Sequence, residues 1–311
     1  MIHTIKIISQ LSKPLTPSQQ GRVRGGWVAA LFAFLLLLAS CNGIPEDERL
    51  IYVEPTAAPQ TPESTETTDT IETPDTPQIV QTLRYVLIED FTGQRCVNCP
   101  NAATEIEQLK DDVKTLLNVD AIIAVGIHSG PLALYSRGNI LGLRTEEGDA
   151  YYDHWGIEQE PIGYINRRGG ISTVDKWSTL VREAIQQLSD VHLSLDVSSD
   201  AETRKAEISL EIANAAATDG YVQLWITENN ITALQMMPDG SANQTYLHQH
   251  VFRRTVNGLW GDAYKAEAGV RDTLTYSCEL DEAWVLENLN VVAFVYNNDG
   301  VQQVTEAKLN Q

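Results

Sequence analysis

The first half of the folded chain combines short apolar runs with helical stripes. Residues 85–88 form a branched apolar run bounded by charge, which predicts a buried strand, and residues 121–127 predict a second one. Between them, apolar residues recur every three or four positions, as in an amphipathic helix: Ala102, Ile106, Leu109, Val113 and Leu116. A later stripe predicts another helix: Val174, Trp177, Val181, Ala184 and Leu188. The pattern predicts an α/β region over residues 81–190.

The second half of the chain has a period of two. Apolar and polar residues alternate over residues 191–198, 206–212 and 222–226, which predicts antiparallel strands with one buried face. Residues 289–296, a turn at 297–300 and a return strand from Val301 predict a hairpin. We therefore expect residues 191–311 to form an all-β domain, an immunoglobulin-like sandwich.

The front of the chain carries a targeting signal. Residues 27–40 form a 14-residue apolar run behind four cations, too short to span a bilayer comfortably but typical of a secretory signal. The run ends in residues 38–41 (LASC), which resemble a bacterial lipobox. Residues 1–40 are therefore predicted to be a signal peptide, with a lipid such as palmitate on Cys41. An ordinary cleaved signal followed by an incidental cysteine is the alternative.

The segment after the signal is predicted to be a disordered linker over residues 41–80. Residues 45–77 hold six Pro, eight Thr and nine acids with one base, so they cannot bury enough apolar surface to offset chain entropy. The whole chain has a formal net charge of −20, and no basic stripe follows Arg24. This charge disfavours nucleic-acid binding, which requires clustered Lys and Arg.

A CxxC pair, Cys96 and Cys99, lies between the first strand and its helix, with Pro100 at the predicted helix start. The helical stripe predicts that Cys99 is buried and that Cys96 is exposed at the helix start, where the dipole favours a thiolate. The order of strand, CxxC, helix and strand resembles the thioredoxin superfamily. The resemblance implies that Asp90 handles the proton of Cys99 and that Pro161 is a cis-proline facing the disulfide. These are the catalytic residues if the pair is redox-active.

A more particular resemblance covers nearly the whole mature chain. It rests on the lipobox with Cys41, on residues 89–100 (EDFTGQRCVNCP), on residues 161–167 (PIGYINR) and on residues 291–304 (VVAFVYNNDGVQQV). These segments resemble the outer-membrane lipoproteins named for a twenty-eight-kilodalton outer-membrane protein of gut and oral Gram-negative anaerobes. The resemblance implies an outer-membrane or surface location and an antigen or adhesin-like role.

The remaining cysteine and the histidines give weaker signals. Cys278 falls on the apolar face of an alternating run and is expected to be a buried, inert thiol. His248 and His250 have no nearby set of ligands, so we expect a solvated pair and no metal site. His128 either lines the cleft near the cysteines or is an ordinary loop histidine. Residues 146–155 either line a groove or form an inserted helix that packs its aromatic side chains inward.

Two functions remain open from the sequence. The first is binding of a protein or glycan at the cell envelope by a protein held in the membrane through lipid on Cys41. The alternative is thiol–disulfide exchange, because an exported CxxC pair exists as a disulfide by default. In that case Cys96 attacks, Cys99 resolves, Asp90 accepts a proton and Pro161 docks the substrate strand. We expect no cofactor for either function.

Overall fold

The computed structural model describes residues 78–309. The predicted signal peptide, Cys41 and nearly all of the predicted linker lie outside the described residues.

The first half of the described chain alternates strands and helices, and the strand, helix, strand and helix that the apolar pattern predicts occur in it in that order. The strands are β1 (Thr82–Leu83), β2 (Val86–Thr92), β3 (Ile122–His128), β4 (Ile162–Ile165) and β5 (Leu188–Ser189). The helices are α1 (Cys99–Leu117), α2 (Glu146–His154) and α3 (Trp177–Ile185).

The helical stripes are buried except at their ends. In α1 the stripe from Ala102 to Val113 is buried, whereas Leu116 is 72% exposed because it lies in the last turn of the helix. The prediction for Leu188 was also wrong. Helix α3 ends at Ile185, and Leu188 pairs with Leu83 in a short two-stranded sheet.

The segment at residues 146–155 forms the inserted helix α2 together with its C-cap Trp155. The side chain of Thr145 accepts a hydrogen bond from Gly148 N at 3.0 Å and so caps the first turn. Tyr151 is fully buried, so this helix packs an aromatic side chain inward.

The second half of the described chain consists of strands, apart from one short 3-10 turn at Leu286–Asn288. The strands are β6 (Val191–Asp200), β7 (Lys205–Asn214), β8 (Thr218–Glu228), β9 (Ile231–Met236), β10 (Ala242–His248), β11 (Val251–Thr255), β12 (Asp262–Ala266), β13 (Arg271–Glu279), β14 (Leu289–Asn297) and β15 (Gly300–Lys308). The predicted hairpin of β14 and β15 is confirmed. The described part of the protein is mostly β-sheet.

One eight-stranded sheet contains strands from both halves of the chain. Its order is β15-β14-β8-β11-β3-β2-β4, with β12 also paired to β8. Strands β2 and β3 are parallel, and β4 is antiparallel to β2. Strand β11 joins the halves because Val251 pairs in parallel with Gly126, whose N–H donates to His250 O at 2.8 Å.

Apolar clusters cover the faces of this large sheet. Helices α1 and α3 pack on one face of β2 and β3. A three-stranded sheet of β13, β7 and β6 packs on one face of β8 and β14, and α2 packs with Trp225 and Phe294 on the opposite face. Residues 222–228 are therefore buried on both faces, including Gln223 and Thr227, although the alternation predicts burial on one face only.

A buried ion pair stands between the two halves of the large sheet. Arg167 Nε lies 2.7 Å from Glu89 Oε1, and both side chains are at most 3% exposed. Five aromatic rings lie 4.6–6.0 Å from the Arg167 guanidinium, those of Tyr151, Trp155, Trp225, Phe294 and Tyr296. The ring faces offer electrostatic attraction to a cation that has one carboxylate partner.

Removing one member of this pair should strongly destabilise the fold. We expect Glu89→Gln to lower the free energy of unfolding by about 3–5 kcal/mol, because it leaves the Arg167 charge buried without its counterion. The measurement is denaturant unfolding at neutral pH. Asp219→Asn, at the exposed ion pair with Lys265, is the matched control and should change stability little. Equal effects of the two variants would contradict the assigned role of the buried pair.

Candidate functional site

The CxxC pair lies at the junction of β2 and α1. Strand β2 ends at Thr92, and α1 begins at Cys99 with Pro100 in its first turn, where the missing N–H leaves no helical hydrogen bond unmade. Cys96 and Cys99 form a disulfide with a Cα–Cα distance of 5.4 Å. The pair therefore occupies the position that the sequence predicts, at the start of the helix.

Cys96 is not exposed, and in this respect the sequence prediction was wrong. Cys96 is 2% exposed and Cys99 is 3% exposed. The physical reason is that two distant segments pack on the CxxC loop. Arg95 N donates to Leu132 O at 2.8 Å, and Met236 N, at the end of β9, donates to Gln94 O at 2.8 Å. The hairpin of β9 and β10 thus lies against the loop that holds the disulfide.

Two glutamines that the sequence does not single out connect these segments to the CxxC loop by side-chain hydrogen bonds. Gln94 is fully buried; its side chain donates to Leu141 O at 2.9 Å and accepts from Leu143 N at 3.0 Å. Gln235, on β9, donates to Cys96 O at 2.9 Å. Gln94 lies within the segment 89–100 that carries the family resemblance, although no role is expected for it there, and Gln235 lies in none of the quoted segments. The one signal for the hairpin is the Asp239-Gly240 dipeptide, a common turn sequence, in which Gly240 has a φ of 83°.

Two carboxyl groups are buried near the disulfide. Asp90, in β2, is 4% exposed, its Oδ1 has no hydrogen-bond partner among the described residues, and burial raises its pKa to about 7. Burial, followed by the nearby charge of Asp90, raises the pKa of Glu160 to about 8. The sequence resemblance points to Asp90 but gives no role to Glu160, although Glu160 directly precedes the motif proline. Both groups can take up or release a proton near neutral pH.

Gly93 lies close to Glu160, the residue before Pro161. The peptide bond between Glu160 and Pro161 is cis. A Cβ atom at Gly93 would lie 2.7 Å from Glu160 Oε2 and 2.6 Å from the carbonyl carbon of Leu132, so the loop can pass this closely only with glycine. The structure thus brings Asp90, Glu160 and the disulfide together, while the proposed docking role of Pro161 stays a prediction.

A cavity of about 330 Å³ opens beside the disulfide, between α1, β3 and the hairpin of β9 and β10. Asp90, Cys99, His128, Gln235 and His248 are among its lining residues. His128 is therefore a cleft residue at the end of β3, which is one of the two alternatives that the sequence leaves open.

The expectation of a solvated His248 and His250 pair was wrong. His248 is 5% exposed, and burial lowers its pKa to about 4. The His250 side chain is 17% exposed, and its Nε2 lies 2.9 Å from Lys110 Nζ. The reason is the pairing of β11 with β3, which draws the end of β10 onto α1.

Among the residues that the structure describes, one group has ligand atoms close enough to share a metal ion. It consists of Cys96, Cys99 and Glu160, whose ligand atoms lie within 4.8 Å of one another. His248 and His250 do not belong to this group. Cys278 is buried as expected, and burial raises the pKa of its thiol.

The fold and the site define a mostly β protein that carries a covered CxxC disulfide beside two buried carboxyl groups. The family model described as Outer membrane protein Omp28 matches residues 148–311, more than half of the chain. The chain belongs to this family and is therefore an outer-membrane protein.

Solved structures similar to this chain include HBP35 of Porphyromonas gingivalis, with 15% identity and a TM-score of 0.58 over 73% of this chain and 76% of that chain. This likeness concerns the fold. A domain of the outer membrane lipoprotein Omp28 from Porphyromonas gingivalis matches with 20% identity and a TM-score of 0.30 over 39% of this chain and 97% of that chain. No curated protein matches the chain.

Within residues 78–309, no helix is both long and apolar enough to cross a membrane.

The buried Asp90 carboxyl should make stability depend on pH. Burial raises the pKa of the Asp90 carboxyl from the ordinary 3.8 to about 7 in the folded state, so the folded protein binds its proton more tightly than the unfolded chain. The proton therefore stabilises the fold most below about pH 4, and this stabilisation is lost as the pH rises to about 7. We expect the stability of oxidised Asp90→Asn, relative to wild type, to increase over this range by at most about 4 kcal/mol. Denaturant unfolding at pH 5 and pH 8 measures this change.

The exposed Asp111→Asn variant on α1 is the matched control and should show no such trend. A stability difference between Asp90→Asn and wild type that is the same at both pH values would contradict the raised pKa.

Proposed function

We propose that this outer-membrane protein is a lipoprotein whose Cys96–Cys99 disulfide exchanges with cysteines of partner proteins in the envelope. The observation that carries the proposal is the buried Asp90 carboxyl, which lines the same cavity as Cys99 and has an unpartnered oxygen. A structural staple needs no proton acceptor in its cavity, and a loop of four residues gains little stability from a crosslink. An exchanging disulfide does need such a group, because its buried thiol must lose a proton.

The exchange begins with the reduced protein. The Cys96 thiolate attacks one sulfur of a partner disulfide and forms a mixed disulfide, and the other partner sulfur leaves as a thiolate. Cys99 then transfers its proton to Asp90 and attacks the Cys96 sulfur, which releases the second partner sulfur. The partner gains two electrons, and the CxxC pair loses two electrons and closes its disulfide.

The proposed domain organisation agrees with this chemistry. We assign residues 81–190 to a thioredoxin-like domain and residues 191–311 to an immunoglobulin-like sandwich. The order β2, α1, β3, β4 and α3 supports the first assignment, and the packing of β6, β7 and β13 on β8 and β14 supports the second. Pro161 would dock the substrate strand beside the disulfide.

Binding of a protein or glycan without thiol chemistry is the second candidate function. The observation that favours it is that the β9 and β10 hairpin covers the disulfide, which leaves Cys96 2% exposed. A large partner could reach the sulfur only after the hairpin of β9 and β10 moves. The two functions are separable, since Cys96→Ser should leave simple binding intact and abolish exchange.

Loosening the hairpin should accelerate exchange. We expect Gln235→Ala to increase the rate at which a dithiol reduces the disulfide, because it removes the side-chain hydrogen bond to Cys96 O. The measurement is the rate of reduction of the oxidised full chain by dithiothreitol at pH 7. Gln244→Ala, at an exposed position on the same hairpin, is the matched control and should react like wild type.

The reduction potential decides between exchange and a structural bridge. We expect a value above about −300 mV, whereas structural disulfides of secreted proteins lie below it. A lower value, together with no reaction in wild type and Gln235→Ala, would contradict the exchange function.

Membrane attachment through Cys41 is a separate prediction. In the native host, mass spectrometry of the N-terminal peptide should find Cys41 as the first residue, carrying acyl chains, and the protein should fractionate with the outer membrane. Cys41→Ser should release the protein from that fraction, because acyl chains provide the stable anchor. Recovery of an unmodified Cys41 would exclude the lipid anchor.

A further inference from the structure

The disulfide and Glu160 form a compact group of potential metal ligands. The two sulfur atoms and a Glu160 carboxylate oxygen lie within 4.8 Å of one another. Both carboxylate oxygens of Glu160 are buried, and neither has a hydrogen-bond partner in the structure. Burial of an unpaired carboxyl group is costly unless it is neutral or gains a partner.

In the part of the chain that the structure describes, the charges around Glu160 leave its carboxyl group without a counterion of its own. The cation that acts on Glu160 is Arg144, but its Nε lies 2.8 Å from Asp149 Oδ2. Asp90 adds a second buried carboxyl group nearby. Once the disulfide is reduced, the site contains two thiols and two carboxyl groups, and a bound cation would stabilise their ionised forms.

We propose that the reduced protein binds one Zn²⁺ through Cys96 Sγ, Cys99 Sγ and a Glu160 carboxylate oxygen, with solvent in the fourth position. Two cysteines separated by two residues are a common zinc-binding spacing, and thiolates combined with an oxygen ligand suit a tetrahedral Zn²⁺. Sites with three protein ligands and one open position are typical of catalytic zinc, which binds water or a substrate at the fourth position.

Gly93 is part of this arrangement. It allows the loop before Cys96 to approach Glu160, because a Cβ atom there would lie 2.7 Å from Glu160 Oε2. The close approach keeps the carboxylate beside the sulfurs.

Zinc binding and disulfide formation exclude each other. Reduction by a dithiol transfers two electrons and two protons to the disulfide and converts the dithiol into its own disulfide. Zinc then replaces the two thiol protons, which are released to solvent. Oxidation reverses this sequence, because disulfide sulfurs no longer offer thiolates to the metal. The site therefore holds either a disulfide or a zinc ion, according to its redox state.

Cobalt titration tests the site directly, because tetrahedral Co²⁺ with thiolate ligands absorbs visible light and has thiolate charge-transfer bands. The full chain is reduced anaerobically with a phosphine, freed of excess reductant and titrated with Co²⁺. We expect one Co²⁺ per reduced chain with these bands, displacement by Zn²⁺, and no such bands in the oxidised chain. Cys41 and Cys278 are not part of the Cys96–Cys99 disulfide, so reduction does not change them. We expect them to give no thiolate bands in either redox state.

Variants assign the ligands. Cys99→Ser should abolish the thiolate bands, and Glu160→Gln should weaken Co²⁺ binding at least about tenfold, since even outer partners of metal ligands contribute that much. Glu158→Gln, at an exposed position two residues away, is the matched control and should bind like wild type. Near-ultraviolet circular dichroism establishes that the oxidised Glu160→Gln and Glu158→Gln variants are folded, and also Cys99→Ser, which cannot form the disulfide.

Two results would overturn the proposal. One is a reduced chain that binds Co²⁺ no better than the oxidised chain, and the other is a folded Glu160→Gln variant with wild-type affinity. The proposal requires that the pair can be reduced but does not rest on exchange with partner proteins. Exchange assays with a chelator present fail or succeed independently of zinc, so failure of one proposal is distinguishable from failure of the other.

Discussion

The pairing of β11 with β3 is the constraint on which the candidate site depends. Without it, the outer edge of β3 would present unpaired backbone groups, which natural sheets cover or pair. The hydrogen bond from Gly126 N to His250 O pairs this edge at Gly126, and it also fixes the chain directly after the β9 and β10 hairpin. The hairpin is thereby held against the CxxC loop, where Gln235 and Met236 bond to it. The cover over the disulfide is thus a consequence of sheet continuity.

The structure treats its buried charges in two different ways. Arg167 and Glu89 are paired at 2.7 Å and surrounded by aromatic rings; burial raises the pKa of Glu89, and the Arg167 charge opposes that rise. Asp90 and Glu160 have no such partner within residues 78–309, and burial raises the pKa of each. Compensated burial serves packing and register, since removal of either partner leaves a charge behind. Uncompensated burial near neutral pKa is typical of functional sites.

The β9 and β10 hairpin over the disulfide and the two buried acidic groups are compatible with both thiol–disulfide exchange and zinc binding at the same site. A closed hairpin keeps large molecules from the sulfurs while the cavity beside Cys99 leaves room for solvent and small solutes. The same low exposure that hinders exchange would shield a bound metal ion from competing ligands. Movement of the hairpin would then control access in both redox states.

The sequence by itself determined the local elements and pointed to the CxxC pair and Asp90 of the candidate site. Periodic apolar residues determined α1, the core of α3 and the β14 and β15 hairpin, because burial of one face imposes that period. The CxxC pair and Asp90 could be recognised from the sequence because they lie within ten residues of one another. Resemblance to the outer-membrane lipoproteins was legible for the same reason, in short contiguous segments.

Tertiary structure alone decided which distant residues complete the site. Gln235 lies 139 residues from Cys96, and Glu160 becomes a neighbour of the sulfurs only through the path of the chain before Pro161. The burial of Cys96, His248 and both faces of β8 likewise depends on which surfaces pack together. Such contacts produce no periodic pattern in the sequence. A long-range strand pairing places a single side chain at the site, and the residues next to it in the sequence give no sign of that contact.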